Sequence, residues 1–429
     1  MNNKEGVVVV LVVVDKRRMN KMQEKKRRES IQGVWDQEKA WKEDIYRMWQ
    51  RIFQDPEPFA QYYYEQMYPN NKVYTMWSEE EDDPTTEVAL QMQTIQPQKL
   101  CGMIHLNPYK TKIGQTIQEI DYIVGVAVDE KMRRQGIMRT MLQEVMRTMR
   151  NERKPFTFLM PASEAYYTPF DFRFAFSRYR WSIKEKDGVD TNPKQGTNIK
   201  FLPYNIDQIE ALQTFCETTW KQFDVAPIRT KSYIERLQEE LASESGQLLL
   251  VYEEETLIGY MTYAKEESKT IIRECVIKKD VERVIEAFQQ WDSNRALDVY
   301  LDWFHTLSEE TRKTMTIIPT IMIRILDIEA MLSLLRAKSK QRYVIQVVDP
   351  MLEENNGIYE WQVDQHHSTV TRMEDESQVE QTLTIAQFVE IVFEDRVREV
   401  QELSQHIKQQ RQYFSELIPF RNVYMSEIV

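Results

Sequence analysis

Glycine is scarce in this chain, 11 among 429 residues, so each glycine in a turn marks a backbone that needs one. Cysteine is scarcer still, with Cys101, Cys216 and Cys275 far apart. Three scattered thiols make neither an even disulfide set nor a ligand spacing, which reads as reduced thiols in a cytoplasmic protein. Five histidines, of which only His366 and His367 are adjacent, give no metal-binding pattern, and no metal is expected. Long hydrophobic runs are missing too. The apolar run Val7–Val14 falls far short of the roughly 20 residues that cross a bilayer. Its basic segment, Lys16–Arg28, follows it, whereas a signal peptide carries its charge first. No membrane partner is expected, and residues 1–30 receive no function. Nor is there a basic excess: the net charge is −12 and the pI about 5.2. That argues against nucleic acid as the main partner. It suits attraction of a cationic small molecule, or simply keeps the chain in solution.

What is present begins with size. A chain of 429 residues exceeds one ordinary core, so two or three domains are expected. The most informative stretch runs from Tyr122 to Phe172. Tyr122–Val128 is almost wholly apolar and rich in β-branched residues, as a strand buried on both faces is. Arg133, Arg134, Gln135 and Gly136 follow, and then Met138, Met141, Leu142, Val145 and Met149 fall on one face of a helix. A strand, a basic turn with one glycine and a helix make an anion cradle. The glycine lets backbone amides approach a phosphate, and the helix N-terminus and arginines add positive charge.

Arg133, Gly136 and Met138 resemble the Arg/Gln-x-x-Gly-x-Gly/Ala acetyl-CoA motif of GCN5-related N-acetyltransferases (GNAT). The larger residue in the last slot is usual in the Eis-like (enhanced intracellular survival) branch. Pro161-Ala162-Ser163-Glu164, Tyr167 and Phe170-Asp171-Phe172 resemble that branch's Pro-x-Ser-Glu … Tyr-x-x-Phe-Gly-Phe/Tyr. The resemblance implies an α+β (mixed α/β) fold class, with tandem GNAT folds followed by a sterol-carrier-like α+β domain. It implies acetyl-CoA as co-substrate, held by Val126, Ala127 and Val128 at a strand edge, by Arg133, Arg134, Gln135, Gly136, Ile137, Met138 and Arg139, and by Ser163. It makes Tyr167 the general acid that protonates the leaving sulfur, with Tyr166 next door as rival. Asp171 stands where the family has glycine, which puts the turn after Tyr167 in question.

The order of elements in residues 31–187 is that of an N-terminal GNAT domain. Trp41, Phe53, Phe59 and Tyr62 lie on its two leading helices, and core packing is the plain reading of such aromatics. In Eis-like relatives this helix pair borders the acceptor pocket, which makes Trp41, Phe53 and Tyr62 candidate substrate residues. Residues 188–306 repeat the order without a glycine cradle, as a degenerate GNAT-like copy with a structural role. Residues 307–429 resemble the sterol-carrier-like domain, also read as structural. The chain closes on the apolar segment Val423–Val429. By resemblance, the Val429 α-carboxylate is the base that takes the amine's proton, with Glu427 as the alternative. The expected function is acetyl transfer to a primary amine of a polycationic, aminoglycoside-like or other polyamine acceptor. A peptide lysine acetyltransferase and a non-catalytic coenzyme A-binding module are the alternatives. A homo-oligomer, up to a hexamer, is expected.

Overall fold

The computed structural model describes residues 31–79, 98–185, 198–397 and 404–427. The leader 1–30, an expected strand at Thr86–Ile95, most of the Lys184–Gly196 linker and Val429 lie outside the described residues.

One large sheet spans the first three quarters of the chain. The first part supplies β1 (Ile31–Trp35), β2 (Lys72–Glu79), β3 (Gln98–Ile113), β4 (Thr116–Val128), β5 (Phe156–Leu159) and β6 (Arg173–Ile183). The middle supplies β7 (Ile199–Pro203), β8 (Val225–Pro227), β9 (Gln247–Glu253), β10 (Thr256–Lys265), β11 (Lys269–Ile277) and β12 (Ala296–Leu301), and β13 (Thr316–Ile325) follows. Across the sheet the order is β1-β2-β3-β4-β5-β13-β6-β12-β11-β10-β9-β7, with β8 paired to β3. Antiparallel pairing of β6 with β12, from Tyr179↔Leu301 to Ile183↔Leu297, joins the two halves.

The strand β13, which the sequence places at the start of the C-terminal part, lies inside the large sheet between β5 and β6. Ile321, Met322, Ile323 and Ile325 are fully buried there, as a strand covered on both faces requires. Arg324 among them is buried too. It donates to the Phe170 and Ile325 carbonyls (both 2.8 Å) and to Asp349 Oδ1 (2.6 Å).

Beyond β13 come β14 (Arg336–Ala337), β15 (Gln341–Val348), β16 (Gly357–Val363), β17 (Ser368–Met373), β18 (Gln381–Thr384) and β19 (Leu417–Ile418). Four of them form a second sheet, β17-β16-β15-β18. Asn355-Asn356-Gly357 reads as a hairpin turn, and β15 and β16 do pair antiparallel from Val347↔Gly357, but through a longer loop than a tight turn. The loop between β15 and β16 wraps around Asp349, and Asn355 spends its amide on Leu326 O (2.8 Å) and Asp349 Oδ2 (2.9 Å). Thr382–Thr384, expected within a helix, ends β18. Thr384 then caps the helix Ile385–Val392 by accepting from Gln387 N, which fixes where that helix begins.

The feature that shapes the site is a bulge in β4. Its pairing with β3 jumps from His105↔Val124 to Met103↔Ala127, leaving an extra residue at Gly125, whose φ is +61°. Such a bulge bends a strand. Next to it, β4 pairs with β5 at the single point Tyr122↔Phe158. Beneath the bulge lies Trp49, from the helix Lys42–Phe53, stacked on Tyr63 at 4.5 Å between ring centroids. Ile45, Met48 and Trp49 form that helix's buried face. A β-carbon on Gly125 would come within 2.6 Å of the Trp49 ring. Gly125→Ala should therefore cost about 2–4 kcal/mol, combining left-handed strain with overpacking. A lower urea midpoint with unchanged slope would bear this out, and an unmoved midpoint would refute it.

Candidate active site

The turn after β4 is built to present backbone amides. Asp129 accepts from Lys131 N (3.0 Å) and is paired with Arg51 (3.0 Å), which closes a short turn over Glu130–Met132. Arg134 (φ +64°) and Gly136 (φ +86°) both adopt the left-handed conformation. The space that a Gly136 side chain would fill is open, with no atom within 4 Å. Gly136 caps the helix Ile137–Asn151, and Thr140 N donates to the Gly136 carbonyl at 3.0 Å. The amides ahead of Thr140 thus have no acceptor within the helix, the condition for an anion site. Arg133 and Arg134 are exposed, while Ile137 is buried and Met138 half-buried. Gln135 bonds the Lys131 carbonyl (3.2 Å). Arg139 faces elsewhere, 5.0 Å over the Phe170 ring and 3.1 Å from Met351 Sδ. Along Val126, Ala127 and Val128, the side of β4 that faces β5 has no strand beside it among the described residues. Ser163 opens the short helix Glu164–Tyr167 in extended conformation.

That helix buries Tyr167 at 8% exposure and leaves Tyr166 59% exposed. The Tyr167 ring meets Phe172 edge-on at 5.8 Å, and burial pushes its phenol up to about 12. Asp171 takes the left-handed conformation (φ +64°) in place of the family's glycine, which aspartate tolerates better than most residues. The turn geometry is kept at the price of a buried Oδ2 without a partner. Arg324, bonded to the Phe170 carbonyl, holds the same turn from β13.

A pocket opens where three parts of the chain meet. Tyr109 of β3 is 6.2 Å from Tyr122 and 6.2 Å from Tyr233, so a line of rings leads from the β4–β5 divergence to the helix Lys231–Ser243. Arg236, Glu240, Arg273, Glu274, Ser426 and Glu427 line the rest. Buried Arg229 donates to Glu427 (2.8 Å), Glu274 (2.7 Å) and Ser426 (2.7 Å), and Tyr233 donates to Glu427 (3.1 Å). Burial alone would raise the Glu274 carboxyl, but Arg229 and the Tyr424 and Tyr260 hydroxyls hold it below the usual range. Among the described residues, Glu427 Oε2 is buried without a partner. Burial, reinforced by Glu244 and opposed by Arg273 and Arg236, pushes Glu240 up to about 7.

The expected substrate residues separate. Tyr62 donates to Glu240 (3.3 Å) at the pocket. Trp41 packs on Trp77 at 5.3 Å, and Phe53 on Trp49 at 4.8 Å. Glu427 is at the pocket, and Val429 lies outside the described residues. Arg229, Arg236, Glu240 and Glu274 were missed, because no local motif marks them. Arg236 and Glu240 at i and i+4 look like an exposed helix pair.

The middle of the chain has its own diverging strands. β11 and β12 run parallel only from Lys269↔Ala296 to Ile272↔Val299. The gap beyond is filled by Arg178, which donates to Arg273 O (2.6 Å), Tyr300 O (3.2 Å) and Asp302 (2.8 and 3.1 Å). Asp280 stands at the helix start there (φ +53°).

Residues 36–175 match the family model of the acetyltransferase (GNAT) domain, and residues 328–426 that of the sterol carrier protein domain. The chain carries a GNAT acetyltransferase domain and is an enzyme. GNAT domains use acetyl-CoA as acyl donor. β13 lies outside both matched ranges. Among solved structures, the fold is similar to a probable N-acyltransferase of Enterococcus faecalis V583, with TM-score 0.68, 14% identity, and 91% of this chain and 94% of that one covered. It is similar to a GCN5-related N-acetyltransferase of Anabaena variabilis (0.64, 15%, 90% and 94%). It is also similar to Eis1 of Mycobacterium abscessus (0.57, 14%, 85% and 89%). At such identity the likeness is one of fold. No curated protein sequence matches. Among the described residues no helix is long and apolar enough to cross a membrane, and no group of three or more His, Cys, Asp or Glu is placed to hold a metal.

Glu240 makes a pH-dependent prediction. Its carboxyl is raised from an ordinary 4.5 to about 7, so between those values the folded state binds more protons than the unfolded one. Stability from this group therefore falls as pH rises across that window. Glu240→Gln should be more stable than the parent at pH 8 and lose that advantage near pH 4. Parallel urea midpoints for the two proteins across this range would refute it.

Proposed function

We propose that this chain is an Eis-like N-acetyltransferase that moves the acetyl group of acetyl-CoA to a primary amine. The observation that carries the reading is the bulge at Gly125, beside which β4 leaves β5. The divergence connects the Gly136 amide cradle, the buried Tyr167 and the pocket at Glu427. In this reading the pyrophosphate lies on residues 133–138, and the pantetheine arm runs along the uncovered edge of Val126–Val128. Arg139, packed on Phe170, positions the cradle helix rather than the phosphates.

The amine nitrogen attacks the thioester carbonyl, a C–N bond forms and the C–S bond breaks. The amine's proton goes to a carboxylate and the sulfur receives one. Tyr167, with a phenol near 12, stays protonated at working pH. A thiol ionises near 8.5, so complete transfer from this phenol is uphill by about 3–4 pH units. Tyr167 thus acts mainly by donating a hydrogen bond to the departing sulfur, with solvent completing the proton balance. The base is the α-carboxylate of Val429. Glu427, held by Arg229 and Tyr233, anchors the segment that leads to it.

Residues 31–187, completed by β13, form the catalytic domain. Residues 188–306 are a second copy whose cleft Arg178 fills, and residues 307–429 are a scaffold. The net charge of −12 supports long-range attraction of an amine, whether of an aminoglycoside-like polycation or a peptide lysine. The pocket itself presents both signs of charge. A cytoplasmic homo-oligomer is the expected form.

Release of coenzyme A thiol from acetyl-CoA in the presence of primary amines tests the reaction. Tyr167→Phe should lower kcat about 100-fold while leaving the KM for acetyl-CoA nearly unchanged. A silent substitution would make Tyr167 a packing residue. A short C-terminal extension should depress turnover far more than the same extension at the N-terminus, and equal activity would exclude the α-carboxylate as base.

A further inference from the structure

We propose that the acceptor carries a carboxylate as well as its amine, and that Arg236 receives that carboxylate. This rests on the reading above that the Glu427 pocket takes the acceptor. The arginines at this pocket are used very differently. Arg229 is committed to Glu427, Glu274 and Ser426, and Arg273 is paired with both oxygens of Glu244. Half-buried Arg236 lines the same pocket. Its guanidinium carbon is 5.1 Å from the centre of the Tyr109 ring and 5.4 Å from that of Tyr233. Among the described residues it meets no carboxylate within ion-pair distance and no hydrogen-bond acceptor.

Aromatic contact of this kind steadies the guanidinium and leaves its N–H donors unspent. Such a fork matches a carboxylate in geometry and charge, and donors left unmatched in a partly desolvated pocket are costly. Glu427 supplies the opposite end: the residue lines the same pocket, and among the described residues its buried Oε2 meets no partner. An ammonium or amine N–H satisfies that oxygen. One pocket thus offers an unspent cation and an unspent acceptor, the complement of an amino acid or of a peptide that carries both groups. A pure polyamine would satisfy Glu427 and place like charge against Arg236.

Matched acceptors separate these cases on the full chain with a free C-terminus: L-lysine against cadaverine, and L-ornithine against putrescine. Each pair shares its amine skeleton and differs by the carboxylate. The expected result is a kcat/KM at least about tenfold higher for the amino acid, a charge-assisted pair being among the stronger hydrogen bonds. Arg236→Gln should remove that preference, lowering kcat/KM for the amino acids and relieving the like charge that opposes the diamines, and Arg236→Lys should retain part of it. Melting temperatures of the variants, measured with acetyl-CoA alone, establish that they fold. No preference for the amino acid in either pair, or an equal fall on both members in Arg236→Gln, overturns the proposal. Should no amine release thiol, the transferase reading fails separately. Thermal protection by lysine over cadaverine, present in the parent and lost in Arg236→Gln, then still supports carboxylate recognition, and equal protection overturns it.

Discussion

The structure turns on one buried guanidinium. Arg229 and its partners Glu274 and Glu427 have side chains only 2%, 5% and 1% exposed. They come from three segments: the loop after β8, the middle of β11 and the end of the chain. A buried charge unsatisfied on any side costs several kcal/mol. These segments are therefore obliged to meet in one arrangement, and hydroxyls of Tyr233, Tyr260, Tyr424 and Ser426 complete the set. Two carboxylates share one cation, which leaves the Arg229 cluster one positive charge short beside the pocket that Glu427 lines. The same tie that holds the last segment in place thereby gives the pocket its chemical character.

A comparable tie lies at the other end of the site. Arg324 joins the turn below Tyr167 to Asp349, which in turn accepts from the Met351 and Leu352 amides. The cradle helix is fastened to the same loop through Gln143 and Arg150. The C-terminal sheet thus serves the transferase as a clamp on both the helix and the turn. Its own interior is closed by Tyr343, Trp361, Phe388 and Phe414, whose rings pack against one another.

Local chemistry was legible in the sequence, and assembly was not. The glycine turn, the helix behind it and the strand before it are contiguous, so spacing alone reveals them. Tyr167 and Asp171 stand in one motif for the same reason. The strand β6 went unread because Arg173, Arg178 and Arg180 interrupt its apolar pattern. Arg178 is wholly buried against Asp302, a pairing that no local window contains. Arg236 and Glu240 looked like surface charges because nothing nearby in sequence says that Tyr109 and Tyr62 lie against them. The segment around Glu427 is anchored by Arg229, about 200 residues away in sequence, a partner that no local pattern names.

The insertion of β13 between β5 and β6 has a consequence for how the protein is made. Synthesis runs from the N-terminus, and these two strands emerge early. Their edges stay bare until residues 316–325 arrive, more than 130 positions later. Exposed edges are adhesive, and contacts of such long sequence separation close slowly. The segment recognisable as an acetyltransferase domain is thus not a self-sufficient folding unit. The middle of the chain must be threaded out and set in place before the first sheet can be sealed, which makes the nascent chain depend on its own later residues for protection.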